Sequence, residues 1–160
     1  MCSLTSTIAW FVAAMVALGG AVSSVIFAYV YPLWAEGAYW AAAGWSALAI
    51  VFAAIAVNQL KAFCACAKKS PACVSACASM NNLIAPLISL LFTGAAFAVW
   101  CATHYPLSDW VAYAYVALGL VAIGMIIAIA VNLSSLSKCQ SSSANPPMPP
   151  TSPSSGPVGM

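Results

Sequence analysis

Apolar positions run almost without break through four stretches of this chain: Ile8 to Tyr29, Ala38 to Leu60, Leu83 to Thr103, and Trp110 to Leu133. None contains Asp, Glu, Lys or Arg. Each reaches the roughly 20 residues that a helix needs to cross the hydrocarbon of a bilayer. An open strand at that depth would leave its amides facing lipid, so the pattern predicts four spanning helices. Polar positions gather in the gaps. The first and third gaps are short, and both open on the same three residues, Tyr31-Pro32-Leu33 and Tyr105-Pro106-Leu107. A proline cannot donate to the helix it follows, so Pro32 and Pro106 end the odd-numbered spans.

The two tripeptides lie 74 residues apart, and so do the strings Ala54-Ile55-Ala56-Val57-Asn58 and Ala128-Ile129-Ala130-Val131-Asn132. Two strings in one register, without a gap between them, predict a duplicated unit. The expected organisation is a first two-helix hairpin over 1–62, a Cys/Lys loop over 63–80, a second hairpin over 81–138, and a tail over 139–160. The fold class expected is thus all-α and integral to the membrane, as two tandem, parallel-repeat hairpins about an axis along the membrane normal.

Composition supports the membrane class: 64% of residues are hydrophobic, 4% are charged, and the mean hydropathy is +1.01. A soluble domain of 160 residues could not bury that much apolar surface. The net charge of +2 is too small to imply nucleic acid. Lys61, Lys68 and Lys69 lie between the second and third spans, and Lys138 follows the fourth. The positive-inside rule puts that side, and both termini, in the cytosol. Aromatic residues such as Trp34, Trp40, Trp100 and Trp110 cluster at the opposite, outer ends, the headgroup level such rings prefer. The first span lacks a basic leader and has a counterpart in the third, so it is read as retained rather than cleaved. A plasma membrane or endomembrane is the expected location.

Candidate chemistry is sparse. Cys2, Cys64, Cys66, Cys73, Cys77 and Cys139 fall on the lysine side, where juxtamembrane thiols are ordinary S-palmitoylation sites. Reducing conditions there argue against structural disulfides. Cys64, Cys66, Cys73 and Cys77 offer four thiolates for a soft metal, but their spacing departs from the usual two-residue knuckles, so no metal is expected. His104 stands alone at the outer interface, and no cofactor is expected. Asn58 and Asn132 are read as satisfying their own helices. Small residues at four-residue spacing, Ala9, Ala13, Ala17 and Ala21, and again Gly94, Ala98 and Ala102, are expected to let helices approach closely.

No span carries an ionisable group of the kind that marks ion paths and proton relays. The tandem-hairpin layout resembles the rotor proteolipids of proton-pumping ATPases, but Val111 to Val131 lacks the carboxylate on which those depend. No acid/base pair or activated nucleophile assembles, so no enzyme is expected. After Cys139 the chain is rich in Ser and Pro, a composition expected to be disordered. Pro146-Pro147-Met148-Pro149-Pro150 offers a ligand for a polyproline-binding cytosolic module, and Ser152 precedes Pro153 as a phosphorylation candidate. The layout is similar in topology to MARVEL-type four-span proteins. The function expected is a membrane scaffold that associates laterally as a homo-oligomer. The alternatives are an accessory subunit among other membrane subunits and a small oligomeric channel or a carrier for uncharged solutes, lined by Ser23, Ser24, Ser46, Ser89, Thr93 and the two asparagines.

Overall fold

The computed structural model describes residues 4–67, 71–104 and 109–144. These form α1 (Leu4–Val30), a 3-10 turn (Pro32–Trp34), α2 (Ala35–Ala67), α3 (Pro71–Thr103) and α4 (Asp109–Ala144). All four helices are long and apolar enough to cross a membrane. Each packs on its neighbour in sequence, and α1 closes the ring against α4. Short connections make the neighbours antiparallel, giving an up-down-up-down bundle.

The turn after α1 follows from its residues. Tyr31 N–H still donates to Phe27 C=O at 2.9 Å, and Pro32 then has no hydrogen to continue the ladder. Trp34 N–H donates to Tyr31 C=O at 3.0 Å, closing the 3-10 turn that launches α2. Glu36 lies in the first turn of α2, where its charge complements the helix dipole. Pro71 opens α3 at a position that needs no donor. Pro86 lies inside α3 and leaves the Asn82 carbonyl without its helical partner.

Buried positions follow alternating steps of three and four. In α1 they include Leu4, Thr7, Phe11, Ala14, Leu18, Ala21, Val25 and Ala28; in α2, Tyr39, Ala42, Ser46, Ala49, Ala53, Ala56, Leu60 and Phe63. The same spacing continues through Met80, Ile84, Leu87 and Leu91 in α3 and Ala122, Ile126, Ile129, Leu133 and Leu136 in α4. This is the seam of left-handed helix packing. Towards the lysine end the interior is filled mainly by Leu, Ile, Met and Phe, interleaved with alanines such as Ala49 and Ala53. Towards the turn end it is filled mainly by alanine, with Tyr39, Cys101 and Tyr115 among the larger side chains.

Buried positions of the two hairpins correspond at a spacing of 73: Phe11 with Ile84, Leu18 with Leu91, Ala42 with Tyr115, Ala56 with Ile129, Leu60 with Leu133. The strings repeated at 74 therefore fall on different faces. Tyr39 is buried while Tyr113 is 63% exposed, and Val57 is buried while Val131 is 65% exposed. One residue turns a helix by about 100°, enough to move a side chain from the seam to the lipid.

The segment expected as a loop over 63–80 is mostly helical, because α2 runs to Ala67 and α3 begins at Pro71. Its alanines, cysteines and Ser75 are compatible with helix, and packing of Phe63 and Met80 into the core extends both helices past the charge-free stretches. Likewise α4 continues to Ala144, into the segment assigned to the tail.

Candidate functional site

Three places in the bundle gather polar or reactive groups. The first is inside the turn-end half. Ser46 on α2 is buried, and its hydroxyl donates to the Ala42 carbonyl at 2.8 Å. With that hydrogen committed, Ser46 Oγ accepts from Tyr115 Oη on α4, 2.7 Å away. This hydrogen bond crosses the bundle between diagonal helices. Phe97 on α3 flanks the Tyr115 ring, with centroids 6.2 Å apart. Cys101 is a free, fully buried thiol in the same alanine-rich cluster.

In lipid, a hydrogen bond between spans contributes about 0.6 kcal/mol on average and about 1.7 at most. Tyr115→Phe should destabilise the bundle within that range, and Ser46→Ala should add little on top of it. A double-mutant cycle of unfolding free energies in detergent–lipid micelles checks this; strictly additive effects would show that the bond contributes nothing.

The second place is the rim at the turn end. His104 stacks on Trp100 with ring centroids 5.0 Å apart, and its Nδ1 lies 3.0 Å from the Trp100 carbonyl and 2.9 Å from Thr103 Oγ1. Tyr29 and Tyr113 meet across α1 and α4, ring centroids 5.9 Å apart. Beside this rim, α1 and α2 leave an open groove of about 550 Å³. Its small floor residues include Gly20 and Gly37, and Trp34 and Trp45 flank it.

The third place is the lysine end. Contrary to the expectation of reduced cysteines, Cys64 near the end of α2 and Cys77 in α3 form a disulfide, with Cα atoms 5.9 Å apart. The two helices emerge side by side and bring these positions face to face, which spacing along the chain could not reveal. A sulfur held in a disulfide has no thiol to acylate and no thiolate to offer a metal. Cys73 is free but buried. Cys66 and Cys139 lie on α2 and α4. Among the described residues, no three His, Cys, Asp or Glu side chains come together as a metal site.

No protein family, curated protein or solved structure matches this chain. Assignment therefore rests on the geometry alone.

The polar positions suggested as a lumen do not converge inside a single bundle. Ser46 is buried, but Ser23, Asn58, Ser89 and Thr93 are exposed on the outer surface. Ser24 and Asn132 bond to carbonyls of their own helices, Gly20 and Ala128, both at 2.8 Å. The small-residue stripes divide between interior and surface. Ala17, Ala21, Ala98 and Ala102 are buried in the bundle, Ala13 and Gly94 are half-buried, and Ala9 is exposed. Those alanines thus serve packing within the chain. In the first turn, Tyr31 is 53% and Leu33 97% exposed. Cys2, Tyr105, Pro106, Leu107, the polyproline string and Ser152 lie outside the described residues.

Proposed function

We propose that this chain is a non-enzymatic, four-span membrane scaffold that associates laterally with further copies of itself, with both termini in the cytosol. One observation carries the reading: among the described residues the interior is packed with apolar side chains, and its buried polar groups are few, Thr7, Ser46 and the hydroxyls of Tyr39 and Tyr115. Such a bundle offers its surface rather than a lumen. α3 and α4 leave more of their spans uncovered than α1 and α2 do. Phe92, Val99 and Trp100 stand out from α3, and Leu120, Val121 and Ile127 from α4. The second hairpin is therefore the association face, where helices in lipid gain from close packing.

The two hairpins descend from one duplicated unit. In support, α2 begins at Ala35 and α4 at Asp109, the 74-residue spacing of the repeated strings. The one-residue offset of the buried seams means that the copies have since rotated relative to their sequence register. S-acylation at the lysine end and a polyproline-binding module on the tail are the cytosolic attachments.

A photo-crosslinking side chain at Phe92 should join two copies, whereas one at Val16, 65% exposed on α1, should not. Links from Phe92 to other proteins alone would replace the scaffold with an accessory subunit.

A further inference from the structure

α2 and α3 each run about 50 Å, against a hydrocarbon thickness of about 30 Å, and most of the length beyond their charge-free stretches, Ala38 to Leu60 and Leu83 to Thr103, falls at the lysine end. The Cys64–Cys77 disulfide sits on that length. It lies about one turn past Leu60 on α2 and under two turns before Leu83 on α3, at the margin of the two apolar stretches. Just below it, Leu60 and Phe63 of α2 and Met80 and Ile84 of α3 belong to one buried cluster. That layer holds the two helices together whether or not the sulfurs are bonded. Both cysteines are half-buried, so a small reagent can reach them from the end of the bundle. Cys73, one turn before Cys77 on α3, is free and buried. On α3, position thus selects the partner: Cys77 comes within disulfide distance of Cys64, while Cys73 does not pair.

We propose that Cys64 and Cys77 are a reversible thiol–disulfide site that controls whether these two thiols are available for acylation. The proposal rests on the cytosolic placement of the lysine end and deepens the acylation reading given above. A disulfide in a reducing compartment is transient or regulatory rather than structural. The seam beneath it makes opening compatible with an intact bundle.

The co-reactant is a low-molecular-weight disulfide of the glutathione type. One cysteine thiolate attacks it, forming a mixed disulfide and releasing one small thiolate. The second cysteine thiolate then attacks the protein sulfur of that mixed disulfide and releases the second small thiolate. The protein loses two electrons and two protons, and the small disulfide is reduced to two thiols. Excess small thiol reverses both steps. While the bond exists neither sulfur can accept an acyl group, so oxidation withholds two sites at once.

The test uses opened native membranes carrying the full chain, equilibrated in glutathione buffers from reduced to oxidised and then quenched with N-ethylmaleimide. Digestion without reductant reads the Cys64–Cys77 linked peptide against the two alkylated peptides. The expected result is at least a tenfold change in their ratio across the series, recovered on returning the buffer. A linked peptide that persists in excess reduced glutathione would overturn the proposal in favour of a fixed structural bond. Alkylation of both cysteines in every buffer would overturn it too. Acyl exchange on Cys77 supplies the second readout: acyl mass should fall as the linked peptide rises, and become independent of buffer in Cys64→Ser. Acyl mass absent throughout, with the linked peptide still reversible, would sink the acylation reading and leave the redox site standing.

Discussion

Ala49→Glu should abolish the folded bundle. Ala49 is fully buried on the α2 seam, near the middle of its span, among the large side chains of the lysine-end core. A charged residue at the centre of a span costs about 2.5–3.5 kcal/mol on insertion scales. Filling a packed seam adds about 1–3 kcal/mol. No cation lies in any span to pair with the new carboxylate. Protonation would remove the charge but leave the overpacking. Gly44→Leu is the control: a side chain there meets nothing within 4 Å, so it points to lipid and should leave the fold unchanged. Size-exclusion profiles and thermal unfolding of the purified proteins check the pair. Equal behaviour of the two variants would refute the placement of the α2 seam.

The second large effect is expected at Gly119, where α4 crosses α1. A side chain at this position would run into the Val22 side chain. Gly119→Leu should force the helices apart, at about 1–3 kcal/mol for overpacking. Gly124→Leu, five residues on, meets nothing within 4 Å and should be silent. Gly20 is similarly restricted, because an added Cβ would approach the Trp45 indole to 2.8 Å. A folded Gly119→Leu with unchanged unfolding would contradict the α1–α4 contact that closes the ring.

The spans were legible in the sequence because hydrocarbon imposes one strong rule, a charge-free stretch long enough to cross. Pro32 marked the end of α1 for an equally local reason. The faces were not legible. Both sides of these helices are apolar, one against the core and one against lipid, so no polar stripe distinguishes Tyr39 inside from Tyr113 outside. The 74-residue repeat makes Asn58 and Asn132 equivalent in sequence, but a shift of one residue in the buried seam is enough to separate Asn58, exposed, from Asn132, half-buried and bonded to Ala128. At the lysine end, lysines and cysteines suggested a loop, while packing of Phe63 and Met80 extended the helices beyond the charge-free stretches. The Cys64–Cys77 pairing depends on that extension and was out of reach of any local pattern.

Lateral self-association is the central claim, and intact-particle mass tests it most directly. The native protein, extracted in a gentle detergent that retains lipid, is weighed without dissociation, and the composition of the particle is read from the same sample. The account predicts a particle containing two or more copies of this chain and no other protein in fixed proportion. A single copy, or one copy held in constant ratio with unrelated subunits, would contradict it.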